Sequence, residues 1–177
     1  MLLHKRNTLI KNNDLLVFKK FPHQFLNANL DVVPYDGSQI SWRVSAYVLI
    51  IKDGKLLLAK SKHEKLYDVL GGGIEIGETV EEALHREVLE EGGAKINIGK
   101  LQFSAVDWFY HREGKFYQTL QLYFEAELVG EQVAPTDPAM EWMGFVPIDE
   151  VSTKYVLAVS PPAKHLIEKY LSGLRSK

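Results

Sequence analysis

Within residues 72–94, GGIEIGETVEEALHREVLEEGGA, three glutamates fall where a helix would ordinarily carry apolar side chains. At about 100° of turn per residue, with Glu87 set at zero, Val80 lies at about 20°, Ala83 at about −40° and Leu84 at about 60°. Glu90, at about −60°, and Glu91, at about 40°, then enter the same wedge. An amphipathic helix normally continues its apolar stripe along its length. Carboxylates at i, i+3 and i+4 repel one another and resist desolvation unless cations neutralise them. Hard divalent cations with oxygen ligands answer that need, so Glu87, Glu90 and Glu91 point to a metal site and to metal-assisted chemistry.

The elements that must position these acids are marked around them. Thr79 followed by Glu82 forms a capping-box pattern, which predicts a helix start near Val80. Gly92-Gly93 supplies the left-handed conformation that ends it. Gly71–Gly73 precede the helix, and a glycine loop lets backbone come close to a ligand. Its carbonyls can join a metal shell, and amides such as that of Gly72 can meet phosphate.

Elsewhere, Trp42–Ile51 and Lys55–Lys60 are apolar runs separated by Lys52-Asp53-Gly54, the pattern of a hairpin. Leu101–Tyr110 and Phe116–Leu128 form a second pair around Glu113-Gly114. In the latter run Leu120, Leu122, Phe124, Ala126 and Leu128 alternate with Gln121, Tyr123, Glu125 and Glu127. Residues 130–140, with Pro135 and Pro138, read as a loop, and Glu141–Ile148 as a further strand. Pro161-Pro162 opens a C-terminal helix over about residues 162–172. Residues 1–40, with an apolar run at Leu15–Phe18 and a turn at Asp36-Gly37, read as a strand-containing appendage to a domain at 41–177. Strands, a helix, more strands and a last helix predict an α/β fold: a mixed central sheet covered by helices.

The whole composition narrows the function. A chain of 177 residues with 46% hydrophobic and 25% charged residues fits one ordinary globular domain with an appendage. A net charge of −2 offers no basic field for nucleic acid or an anionic membrane. The absence of cysteine excludes disulfides, thiolate–zinc sites and cysteine nucleophiles. No signal-peptide pattern or bilayer-length apolar run is read, so a cytoplasmic location is expected.

The glycine loop and helix fit the pattern G-x5-E-x7-R-E-U-x-E-E-x-G-U, with U aliphatic, through Gly72, Glu78, Arg86, Glu87, Val88, Glu90, Glu91, Gly93 and, loosely, Ala94. This resembles the signature of the Nudix hydrolases (MutT-like), and the layout shared with that family extends over residues 42–150. The resemblance implies an α/β/α sandwich and hydrolysis of a diphosphate bond with Mg²⁺ or Mn²⁺. It also implies that Glu87, Glu90, Glu91 and the Gly71 carbonyl hold the metal, with Glu87 a ligand or the base. Arg86 would orient a glutamate and Glu78 would tie the loop to the helix; ordinary i,i+4 pairing is the plainer reading of Arg86, and helix-end electrostatics that of Glu78. The family usually has proline where Leu70 stands, so this loop is expected to be looser or reshaped.

Outside the box, Met140–Met143 and Val146–Asp149 resemble the strand that flanks the base in nucleotide-sanitising members. That reading puts Trp142 beside the pocket and Asp149 on the base; the alternative makes Trp142 a core aromatic. Trp108, with its neighbours Phe109 and Tyr110, either stacks on a base or fills core and rim. Lys60 is a phosphate contact or a solvated lysine. Glu131, Asp137 and Glu141 are downstream acids that could supply a base, and the six histidines read as structural or solvent-facing.

The expected substrate is a small nucleotide with a diphosphate, first a (d)NTP or oxidised nucleotide, then a dinucleoside polyphosphate or ADP-ribose. No motif of the NADH or coenzyme A subfamilies is apparent. A non-catalytic nucleotide sensor on the same fold is the competing class, disfavoured by the intact glutamates. Residues 1–40 are expected to pair with a second copy, giving a homodimer, or to cap the sheet edge.

Overall fold

Residues 24–158 and 161–175 are described by a computed structural model. The strands are β1 (Gln24–Leu26), β2 (Val32–Pro34), β3 (Ile40–Lys52), β4 (Lys55–Ser61), β5 (Gly71–Gly73), β6 (Lys95–His111), β7 (Lys115–Val129) and β8 (Met140–Pro147). Helix α1 spans Val80–Gly92, a 3-10 turn spans Ile148–Glu150, and helix α2 spans Pro161–Arg175. The apolar run at Leu15–Phe18 lies outside the described residues.

Period-2 alternation on β3 sorts the interior into two layers. Ala46, Val48 and Ile50 pack with Leu84 and Val88 of α1, while Leu49 packs with Ala163, Ile167 and Leu171 of α2. A mixed sheet thus lies between the two helices, in the order β2-β1-β6-β7-β3-β4-β8, with β5 joined to β3. The parallel β3–β7 pair runs from Ile40↔Phe116 to Ile50↔Ala126. Gln121, Tyr123 and Glu125 read as the polar side of β7, yet that side is covered as well. Tyr123 is fully buried in the α2 layer, and the Tyr170 hydroxyl of α2 donates to Glu125 Oε1 at 2.7 Å.

Two boundaries differ from the sequence expectation by more than two residues. Strand β6 begins at Lys95, directly after the helix cap, because register irregularities between Ile98 and Phe103 let the polar Gly99-Lys100 step stay in the strand. Helix α2 continues past Leu171 to Arg175. The described part of the expected appendage lies on the sheet edge, where β1 pairs with β6 in parallel at Leu26↔Phe109 and with β2 antiparallel. No described helix is long and apolar enough to cross a membrane.

The feature that makes room for a site is a splay in the sheet. Strands β3 and β4 pair only next to their turn, at Ile51↔Leu56 and Lys52↔Lys55. Beyond that they part, and residues 67–73 enter the gap. Asp68 bridges Ala59 of β4, the Leu70 carbonyl accepts from Val48 N at 2.9 Å, and Gly71–Gly73 pair with Ser45–Tyr47 of β3. The side chain of Leu70 is buried and packs where Gly92 of α1 has no Cβ, so the leucine ties the loop to the helix end by apolar contact.

Candidate active site

Helix α1 is fixed at both ends. The Thr79 hydroxyl accepts from Glu82 N at 3.2 Å, and Glu82 Oε2 accepts from Thr79 N at 2.8 Å, completing the capping box. At the other end Gly93 takes φ 58°, and a Cβ there would lie 2.0 Å from the Val133 carbonyl oxygen. Loop 131–139 clasps this end: Val133 N donates to Gly93 O, and Thr136 N and Asp137 N donate to Glu90 O. The loop thereby satisfies the Glu90 and Gly93 carbonyls at the helix end.

Between these ends Arg86 acts as a hub. Its Nε and Nη2 grip both oxygens of Glu78, at 2.7 and 3.0 Å, and Nη2 also donates to the Gly73 carbonyl at 3.0 Å. Nη1 lies 2.9 Å from Glu87 and 3.3 Å from Glu90. The guanidinium holds the Glu78 carboxyl down to about 2 and is itself held protonated by that acid. Glu82 serves the cap and does not pair with Arg86.

Glu91 turns inward, accepting from Gly71 N at 3.1 Å. Burial, with Glu87, Asp68 and Asp137 nearby, pushes its carboxyl up to about 8. Burial also raises Glu87, against the opposing effect of Arg86. Gly72 passes so close to Glu87 that a Cβ would lie 2.5 Å from its Oε1. Among the described residues no three acidic or histidine side chains are gathered tightly enough to enclose a metal. The chemistry of the donors nonetheless fits a hard cation. They are all oxygens, and two are carboxylates whose ionised form is disfavoured until positive charge arrives.

Above Gly71 and Glu91 opens a cleft of about 310 Å³. Arg43 and Tyr47 of β3, Lys60 and Ser61 of β4, Trp108 and Phe109 of β6 and Asp137, Ala139 and Met140 line it, together with Asp68. Ser45, Thr119, Gln121 and Asp107, the buried polar residues of the sheet, lie together on adjacent strands, and Gln121 and Asp107 also line the cleft. One wall comes from the β1–β2 turn, whose residues Leu26, Asn27, Ala28 and Leu30 face the cleft. The Asn29 side chain accepts from Lys65 N at 2.7 Å, joining that turn to the loop after β4.

The cleft brings Gly71, Glu91, Lys60 and Trp108 together; Gly72 and Glu87, which approach each other next to Gly71, are not among its lining residues, and neither is Glu90. Lys60 pairs with Glu141 at 3.4 Å. The indole nitrogen of Trp108 is buried with no hydrogen-bond partner among the described residues. Trp142 is not part of the lining: 37% exposed, it packs edge-on against Tyr67 and stacks on Tyr155. Nor does Asp149 reach the cleft. It follows β8 at the end where Ile148 N donates to Gly54 O, whereas the cleft opens at the Lys60↔Trp142 end of the same pair. Asp137 lines the cleft and Glu131 is exposed. His85 is exposed, but His111 borders the cleft.

Sequence reasoning missed Arg43, Asp68, Gln121 and the β1–β2 turn. A lone cation between Trp42 and Val44 in an apolar strand was the one available signal for Arg43.

The NUDIX domain family model matches residues 41–170, which include the whole loop–helix unit. The chain belongs to the Nudix family. It is similar to the NAD-capped RNA hydrolase NudC of Chromobacterium violaceum, 38% identical over 104 residues, covering 58% of this chain and 37% of that protein. With NudC of Pseudomonas aeruginosa it is 30% identical over 131 residues, 72% of this chain and 44% of the relative. The chain thus spans less than half the length of these curated relatives. Among solved structures, a NUDIX hydrolase from Nitrosomonas europaea superposes with a TM-score of 0.63 at 25% identity, covering 75% of this chain and 90% of that one. The mixed sheet between two helices is the Nudix α/β/α sandwich seen there.

Proposed function

We propose that this Nudix chain hydrolyses a diphosphate joining a nucleoside to a second moiety, with Mg²⁺ (or Mn²⁺) as cofactor. The observation that carries the reading is the approach of Glu87 and Glu91 to Gly71–Gly72 at the edge of a cleft that also holds Lys60 and Arg43. Glu87, Glu90, Glu91 and the Gly71 carbonyl would hold the cation, which when bound neutralises phosphate charge and acidifies water. Glu87, partly desolvated, is suited to take the proton from the attacking water. The new bond forms between the water oxygen and phosphorus, and the bridging P–O bond breaks, releasing two phosphate-terminated products. Arg86 and Glu78 hold Glu87 and the glycine loop in register, and Lys60 binds a phosphate oxygen.

For the second moiety we favour another nucleoside, as in a NAD-type diphosphate. The relatives' names support this choice, whereas Asp149, which favoured a (d)NTP, lies at the other end of its strand pair. The test is product analysis by chromatography with NAD, ADP-ribose, diadenosine polyphosphates, dNTPs and an oxidised dGTP, each with Mg²⁺ or Mn²⁺. Cleavage of NAD to two mononucleotides, faster than release of diphosphate from any dNTP, is expected. Faster turnover of a dNTP would overturn the substrate choice, and no turnover of any compound would overturn the hydrolase reading.

A further inference from the structure

Two arginines flank the glycine loop, and their surroundings are opposite. Arg86 is saturated by Glu78, Glu87 and Glu90. Arg43, on the other side, has no carboxylate in ion-pair range among the described residues. Its guanidinium carbon lies 5.7 Å from the Phe109 ring centre and 5.5 Å from that of Tyr117. Those rings stack on each other at 5.2 Å, so the cation rests against two aromatic groups, and among the described residues no hydrogen bond occupies its donors. Gly73 runs against the same guanidinium: a Cβ there would sit 2.1 Å from Nη2. The group also lines the cleft.

A planar fork of N–H donors, positioned in advance and without an internal acid, suits a phosphate group. Of the other charged residues that line the cleft, Lys60 and Arg112 also attract an anion, whereas the acids, with Asp68 and Asp137 close to Glu91, repel one unless a cation intervenes. We propose that Arg43 grips the second phosphate of the diphosphate, the one not held at the glutamates, and so makes the site select diphosphates over monophosphates. The role rests on the diphosphate reading above, but it concerns binding and can be tested without turnover.

The test is calorimetric titration of the full chain, with Mg²⁺, by AMP and by α,β-methylene-ADP, whose bridge cannot be hydrolysed. The unaltered chain is expected to prefer the diphosphate analogue by about tenfold or more. Arg43→Met should bring the two ligands to within about twofold by weakening the analogue alone, and Arg43→Lys should keep part of the preference, having charge without the fork. Far-UV circular dichroism and melting identify any variant that fails to fold; Arg43→Lys then carries the comparison, and its retention of the full preference overturns the role. Equal weakening of both ligands, or an unchanged preference in Arg43→Met, also overturns it. Preference without turnover in the unaltered chain would refute the hydrolase reading and leave Arg43 as assigned. Turnover with an unchanged KM in Arg43→Met would refute only the Arg43 role.

Discussion

Arg86 closes a two-bond fork on Glu78, at 2.7 and 3.0 Å, and thereby fastens the glycine loop to the helix that bears the acids. Glu78 also accepts from Glu75 N at 2.9 Å, so one carboxylate fixes both the loop's path and the arginine's plane. Replacing it should therefore alter geometry more than stability. Glu78→Gln is expected to lower kcat by about tenfold or more with little change in melting temperature. Steady-state kinetics beside a thermal melt will read this. Because the Glu78 pKa is lowered to about 2, the contribution of the ionised fork is present above the ordinary carboxylate value and lost as pH falls towards 2.

Glu90→Gln and Glu91→Gln should each abolish measurable turnover while the circular dichroism spectrum is unchanged. For Glu91 the buried charge is unfavourable without a cation, so Glu91→Gln should melt higher than the unaltered chain in EDTA. Near-normal rates in both variants would remove the metal-site assignment.

Metal-free stability should fall as pH rises. Asp68 and Glu91 both have folded pKa values raised to about 8, mainly by burial. For acids with raised values the folded state binds more protons than the unfolded one between the ordinary carboxylate range and 8. Stability is therefore full below that range and lost on the way up to 8. Chemical denaturation at a series of pH values in EDTA should show this slope, and Asp68→Asn should flatten it. Added Mg²⁺ should flatten it through Glu91 while leaving the Asp68 part.

Gly93→Ala should destabilise the chain by about 2 kcal/mol or more, because φ 58° disfavours a Cβ and the Val133 carbonyl occupies its place. Urea unfolding reads the change. Hydrogen exchange should localise it to residues 131–139, whose amides depend on the helix end.

Local chemistry makes much of α1 legible in the sequence. Thr79 and Glu82 satisfy each other within one turn, and Gly93 answers a backbone angle, so three-residue patterns suffice. The burial of Tyr123 could not be read the same way. Period-2 alternation identifies two sides of β7 but not that α2, from the far end of the chain, covers the second. Arg43 and Asp68 line one cleft only because β3 and β4 diverge after a short pairing, a tertiary event with no local signature. Asp149 failed for a related reason. Its strand was identified, but which end of the strand faces the cleft depends on the pairing direction with β4.

The bond from Lys65 N to Asn29 makes the cleft a composite of two inheritances. Everything proposed to handle phosphate lies within residues 41–170, the stretch matched by the family. The wall formed by Leu26, Asn27, Ala28 and Leu30 lies before it. Lengthening or shortening that turn would resize the chamber while leaving the glutamates and glycines untouched. That turn therefore offers a way to alter what the cleft admits without changing the residues proposed to handle phosphate.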